Sequence, residues 1–307
     1  MPNPASAAGA GNRFSPLSRL GPSPHRDPTQ FVLAAPSLGR SGTVQGPRGE
    51  YRPRSIGPHE DIAFLRRARE KQHFVLFYGP PGTGKTAACE AAFEDIIVLS
   101  CTEDTTVGDL LGEYVPAPPG PDGFPYRWVY KKLVQAMTEG RPILLDDLTL
   151  ADPRVLSATY PALDGRGKVS VDAHEGEVIE AQPGYFVIAC HNPSAPGARL
   201  SPALASRFKI HCEMLTDYDL AQVLGVKHKI VEVARALDLK RRQGEVTWAP
   251  QMRELLNSMS IVEDFGDEVA LRNIVSLSPD ADREVVDAEM KRVFGRSFWP
   301  LAVGAEL

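Results

Sequence analysis

The stretch Gly79-Pro80-Pro81-Gly82-Thr83-Gly84-Lys85-Thr86 decides the fold. Its spacing, G-x-x-x-x-G-K-[ST], is that of a phosphate-binding loop. Glycines let the backbone turn tightly and bring successive N–H groups close to an anion. A helix starting within the loop aims its positive end at the same anion. In such a loop Lys85 reaches the β- and γ-phosphates and the Thr86 hydroxyl holds Mg²⁺. The flanks agree with this reading. Phe74-Val75-Leu76-Phe77-Tyr78 is a short apolar run, as expected of a buried parallel strand, and Ala87 to Phe93 predicts a helix.

Composition sets the outer limits. The chain has 307 residues, enough for two domains or for one large domain with a tail. A hydrophobic content of 43% is ordinary for a globular protein. The net charge of −5 argues against a general nucleic-acid binder. No apolar run approaches the length of a membrane span, and Met1-Pro2-Asn3-Pro4 begins no basic-then-apolar leader, so a cytoplasmic protein is expected. Cys89, Cys101, Cys190 and Cys212 are scattered without a C-x-x-C pair, which predicts buried, reduced thiols.

Residues 1–53 are rich in Pro, Gly, Ser and Ala and predict a disordered tail. Residues 54–214 predict the α/β core. His59 to Lys71 carries apolar residues at helical spacing, and Ile96 to Leu99 predicts a second strand. Thr105 to Leu111 predicts a short helix, Gly112 to Gly123 an irregular proline-rich loop, and Trp128 to Met137 a helix. Pro142 to Asp147 predicts a third strand, ending in two acids. Ala151 to Leu163 reads as helix interrupted near Pro161, and Lys168 to Ala181 as a β-hairpin turning at Glu175-Gly176. Tyr185 to Cys190 and Arg207 to Cys212 predict the fourth and fifth strands. Strands alternating with helices indicate a parallel sheet. Residues 215–296 turn helical, with candidates at 217–237, 250–259, 265–275 and 280–294, and predict an all-α second domain. Residues 297–307 form a tail whose Phe298, Trp299 and Leu301 would pack on that domain or bind a partner.

Several residues are placed to do chemistry. Asp146 and Asp147 end an apolar strand, where ligands of parallel sheets sit. One carboxylate there can hold Mg²⁺ and the next can polarise an attacking water. His191-Asn192-Pro193 closes the fourth strand, and the Asn192 amide would bond the γ-phosphate and the lytic water. Ser201-Pro202 starts a short helix with Arg207 at its far end. Arg207 reads first as a surface ion-pair partner, and second as a guanidinium reaching a neighbouring subunit's nucleotide. Arg66-Arg67-Ala68-Arg69 reads as a solvated basic face.

In this order, the phosphate loop, the acid-ended strand, the Asn-Pro-ended strand and Leu200-Ser201-Pro202-Ala203-Leu204-Ala205-Ser206-Arg207-Phe208 resemble the AAA+ ATPases over residues 54–295. Val107 to Tyr114 with the proline-rich insertion and Trp128, Tyr160 to Gly167, and Gly184 to Pro193 resemble the MoxR-type group and its CbbQ/NorQ-like and CobS-like relatives. The resemblance implies a P-loop NTPase with a five-stranded parallel sheet sandwiched by helices and a C-terminal helical lid. It implies Mg²⁺ and ATP as cofactor and substrate. Gly79, Pro80, Pro81, Gly82, Thr83, Gly84, Lys85, Thr86 and Ala87 would form Walker A. Asp146 and Asp147 would form Walker B, with Thr86 and Asp146 on the metal. Asn192 would be sensor 1, Arg207 the arginine finger and Arg272 sensor 2. The hairpin at 168–181 would face the pore of a hexameric ring. The partner would be a protein client, with a von Willebrand factor A-type protein as one candidate.

Three functions follow as expectations: an ATPase that remodels a protein partner, a DNA-directed motor, and a nucleotide-gated binding module with weak hydrolysis. The acids Asp172, Glu175, Glu177 and Glu180 in the hairpin disfavour phosphate contact and hence the motor. Walker B in the resembled family ends Asp-Glu, whereas this chain ends Asp146-Asp147, placing the second carboxylate about one methylene further from the water. Asp147→Glu is therefore expected to raise basal ATP turnover, measured by phosphate release. Unchanged or lower turnover would remove carboxylate reach as the limit.

Overall fold

The computed structural model describes residues 42–47, 49–118 and 123–304. The tail expected over residues 1–53 lies outside the described residues up to residue 41. From residue 42 onward the outcome differs. Val44–Gly46 and Gly49–Tyr51 pair as an antiparallel hairpin, with Val44 buried. Composition misses this because the hairpin draws its stability from packing against the core rather than from its own sequence.

Five strands make the central sheet: β1 (Val75–Tyr78), β2 (Ile97–Ser100), β3 (Pro142–Asp146), β4 (Phe186–His191) and β5 (Ile210–Glu213). Their spatial order is β5-β1-β4-β3-β2, all parallel. Alternation along each strand divides the side chains between two faces. Val75, Phe77, Leu144, Phe186, Ile188 and Cys190 pack with α1 (Asp61–Glu70) and α2 (Lys85–Ala92). Leu76, Ile143, Leu145, Val187 and Ala189 pack on the other face with α3 (Val107–Leu111), α4 (Lys132–Glu139), α5 (Pro153–Ser157) and α6 (Tyr160–Leu163). A sheet buried on both faces reads as continuous apolar runs, which is why its strands are legible in the sequence. α7 (Pro202–Ala205) starts at the predicted Ser201-Pro202, the Ser201 hydroxyl accepting from Leu204 N at 3.1 Å.

α8 (Tyr218–Val223), α9 (His228–Gln243), α10 (Met252–Leu277) and α11 (Arg283–Phe294) form the helical region around its own core of Ile230, Ala234, Leu237, Leu255, Ile274 and Met290. α10 contains one non-helical residue, Gly266 (φ 84°), close to where two separate helices were expected. In the C-terminal segment Phe298 is buried against Phe294, while Trp299 and Leu301 are exposed.

One region corrects the sequence reading. Gly112–Pro116 and Tyr126–Tyr130 form an antiparallel hairpin instead of a loop leading into a helix, and the helix starts only at Lys132. Pro116 occupies the last pair of the ladder, where a missing N–H costs little. Aromatic pairing across the strands, Tyr114 with Trp128 at 5.0 Å between centroids, outweighs the prolines. The predicted hairpin Lys168–Val171/Glu177–Glu180 is present, and its tip reaches this insertion. His174 stacks on Trp128 (4.7 Å, 4° between planes), with Tyr114 and Tyr130 edge-on. Tyr130 donates to Glu177, and Tyr114 Oη lies 3.2 Å from His174 Nδ1.

Arg69, read as part of a solvated face, is buried instead. Its Nε donates to Gly184 O (3.0 Å) and Nη2 to Gly140 O (3.2 Å), which ties the end of α1 to the segments entering β3 and β4. Burial lowers its pKa, while Asp95 offsets part of that effect. Arg69→Ala leaves two carbonyls without their donor and is expected to cost about 2–3 kcal/mol of stability. Thermal melting checks this.

Candidate nucleotide-binding site

The loop sits where the first strand ends, and glycine is required there. Gly79 has φ 140°, and a Cβ on it would come within 2.4 Å of Met214 O. Its N–H donates to His191 O at the end of β4 (3.2 Å), while Met214 N donates to Tyr78 O (2.8 Å). The chain is thus squeezed between the fourth strand and the connection to the helical region. Gly84 follows at the start of α2 in the left-handed region, with φ 85°. The sequence thereby turns from strand into helix within a few residues, and residues 82–86 line the cavity there.

Lys85 is 8% exposed, and its Nζ donates to Gly79 O (2.9 Å) and Pro80 O (2.7 Å). Burial lowers its pKa, and Cys190, Asp147 and Asp146 work against that. Thr86 Oγ1 donates to Asp146 Oδ2 at 2.8 Å, joining the first turn of α2 to the end of β3 across the intervening strand β4. Asp147 adopts a left-handed conformation (φ 50°, ψ 39°), which Asp tolerates better than most residues. Burial, then Asp146, raises its pKa, while Lys85 and Arg253 lower it.

These groups border one cavity of about 670 Å³. Pro81 to Ala87, Asp146 and Asp147 line its polar end. The hairpin at 44–51 and the helical residues Leu220, Val223, Leu224 and Leu256 line the rest. Apolar walls with a few convergent polar groups suit a base joined to a phosphate chain. The Thr86 hydroxyl beside the Asp146 carboxylate is a pair of hard oxygen donors, which suits Mg²⁺ sharing its remaining positions with phosphates and waters.

The other predicted residues fall in three places. Asn192 directly follows β4, beside the start of the loop, and its Oδ1 accepts from Ser194 N (3.1 Å). Arg207 lies outside the cavity wall, its guanidinium 3.9 Å from the centre of the Tyr160 ring and bonded to Ala203 O. Arg272 is not at the site. Its Nε and Nη2 donate to Trp299 O and Pro300 O, both at 3.0 Å, so it holds the C-terminal segment. The arginine that does reach the site from α10 is Arg253, whose N–H donates to Gly82 O (3.1 Å) and which lines the cavity. The capping-box spacing Gln251-x-x-Glu254 marks that helix start in the sequence and would have pointed to it. Arg54 and Tyr51 also line the cavity, in a region read as tail or as its border.

A parallel sheet with a phosphate loop after its first strand, acids on a neighbouring strand end and a helical lid defines the AAA+ type of P-loop NTPase fold. Residues 74–208 match the family described as AAA domain (dynein-related subfamily). The chain is 30% identical to midasin of Dictyostelium discoideum over 162 residues, 50% of this chain and 3% of midasin, so it corresponds to a small fraction of that protein. It is 28% identical to protein NorQ of Paracoccus denitrificans over 222 residues, 70% of this chain and 76% of NorQ. An uncharacterized protein of Staphylococcus aureus is 26% identical over 226 residues, 68% of this chain and 86% of its own.

His191 ends β4 buried, with Nδ1 2.9 Å from Thr149 Oγ1. Burial, aided by Lys85, lowers its pKa. A depressed histidine favours the fold above its unfolded pKa of about 6.5 and loses that contribution as pH falls toward the folded value. His191→Asn, which keeps an acceptor near Nδ1, is expected to flatten the fall in stability between about pH 7 and about pH 5. Urea denaturation across that range checks it.

Proposed function

We propose that this chain is a Mg²⁺-dependent ATPase that works as a ring and remodels or activates a protein partner, in the manner of the MoxR-type group it resembles. The observation that carries the proposal is the 2.8 Å bond from Thr86 to Asp146 inside a cavity that also holds Lys85 and Asp147. It brings the phosphate loop and the strand-end acids to one point. Lys85 and the loop amides would grip the triphosphate. Thr86 and Asp146 would hold Mg²⁺, which neutralises phosphate charge. Asp147 would orient water and accept its proton, and Asn192 would hold the water's position.

Arg207 is outside the lining of its own cavity, stacked on Tyr160, and this supports a role at the site of an adjacent copy. A hexameric ring would place it there, and hydrolysis would then depend on assembly. The hairpin supports a partner-directed role over a DNA-directed one, because Lys168 is spent on Glu180 at 2.6 Å and the remaining charges are acidic.

Phosphate release and nucleotide titration test the proposal. Lys85→Ala is expected to abolish ATP binding. Arg207→Ala is expected to keep ATP affinity and lose turnover by about 10³-fold or more. No affinity of the wild-type chain for adenine nucleotides would overturn the proposal, and weakened affinity with intact turnover in Arg207→Ala would overturn the finger role.

A further inference from the structure

Arg54 lines the cavity and has one guanidinium nitrogen, Nη2, to spare. Its side chain is 11% exposed. Nη1 donates to Thr83 O within the phosphate loop (2.8 Å), and Nε donates to Tyr51 Oη (3.2 Å) and stands 3.7 Å from Asp61 Oδ2. Asp61 is itself fixed, accepting from Tyr51 Oη and from Ile62 N. The guanidinium therefore cannot turn without breaking several contacts. Its Nη2 is buried and has no hydrogen-bond partner among the described residues. That atom is also the nearest neighbour of the position a Cβ would take on Gly84, at 3.5 Å, so it stands against the inner turn of the loop. Burying a charged donor without an acceptor is costly, so an open Nη2 in the lining of a cavity calls for an acceptor within that cavity.

The position of Nη2 narrows what the ligand atom is. Arg54 touches the loop at Thr83 and Gly84, within residues that suit the phosphates. Tyr51, Leu220, Val223 and Leu224 line the same cavity and suit the base. Between a base and its β-phosphate lies the α-phosphate. We propose that Arg54 donates through Nη2 to the α-phosphate of the bound nucleotide, joining the N-terminal hairpin to the phosphate loop through the ligand. This rests on the nucleotide-binding reading above. It adds to the loop a cation that belongs to the N-terminal stretch of chain, and it makes affinity depend on the hairpin being seated.

The test is competition of ATP, ADP, AMP and adenosine against a fluorescent ADP, with wild type, Arg54→Met, Arg54→Lys and Lys85→Ala. Arg54→Met is expected to weaken ATP, ADP and AMP by one common factor of about tenfold, since all three carry the α-phosphate, and to leave adenosine unchanged. Arg54→Lys keeps the charge and is expected to lose less in the same pattern. It also serves as the readout if Arg54→Met fails to fold, as judged by thermal melting. A residue that merely braced the loop would instead give a loss growing from AMP to ADP to ATP, and that result overturns the inference. An equal loss for adenosine, or no loss for any nucleotide while Lys85→Ala abolishes ADP binding, overturns it too. If Lys85→Ala leaves ADP binding intact, the nucleotide-binding reading is what fails.

Discussion

A buried ammonium group governs this structure. Lys85 is held inside its own loop by two main-chain carbonyls, with the acids of β3 nearby. A cation removed from water is tolerable only where oxygens replace its hydration. The loop must therefore bend back over its own lysine, and the bend is possible only because glycine accepts the squeeze between β4 and Met214. The sheet order puts β4 and β3 where they are needed. The carbonyls of Gly79 and Pro80 turn to the lysine, while those of Gly82 and Thr83 are taken by Arg253 N–H and Arg54.

Much of this was legible from residue spacing. The five strands are doubly buried, so their apolar runs carry a strong signal, and the loop motif carries its own geometry. Ser201-Pro202 and the Glu175-Gly176 turn were equally plain, because each names a backbone conformation directly. The insertion was misread because proline density argues for irregular chain, whereas cross-strand aromatic contacts decide the outcome, and those depend on partners some fifteen residues away. The hairpin at 44–51 was missed for a related reason. Its few apolar residues gain their value only against α2 and the cavity.

Arg272 and Arg253 show a different kind of failure. Both are arginines of α10 in the helical region, and both head a plausible segment. Only the packing distinguishes them. The first turn of α10 abuts Gly82, while Arg272 lies beyond the break at Gly266 and serves the C-terminal segment. Local sequence specifies that a helix starts; which end meets the loop is a tertiary matter. Arg54 is similar, since its role comes from a guanidinium caught among Tyr51, Asp61 and Thr83, none of which is its sequence neighbour in a recognisable motif.

The imidazole of His174, boxed by Trp128, Tyr114 and Tyr130, has a mechanical consequence. Two hairpins pack on the same face of the sheet, one inserted in sequence between β2 and β3 and the other between β3 and β4. Ring stacking between the turn of the second hairpin and the base of the first rivets the two together. A load pulling on either is carried by both, and from the first it passes into α3 and α4, the helices that flank it, before it reaches the sheet.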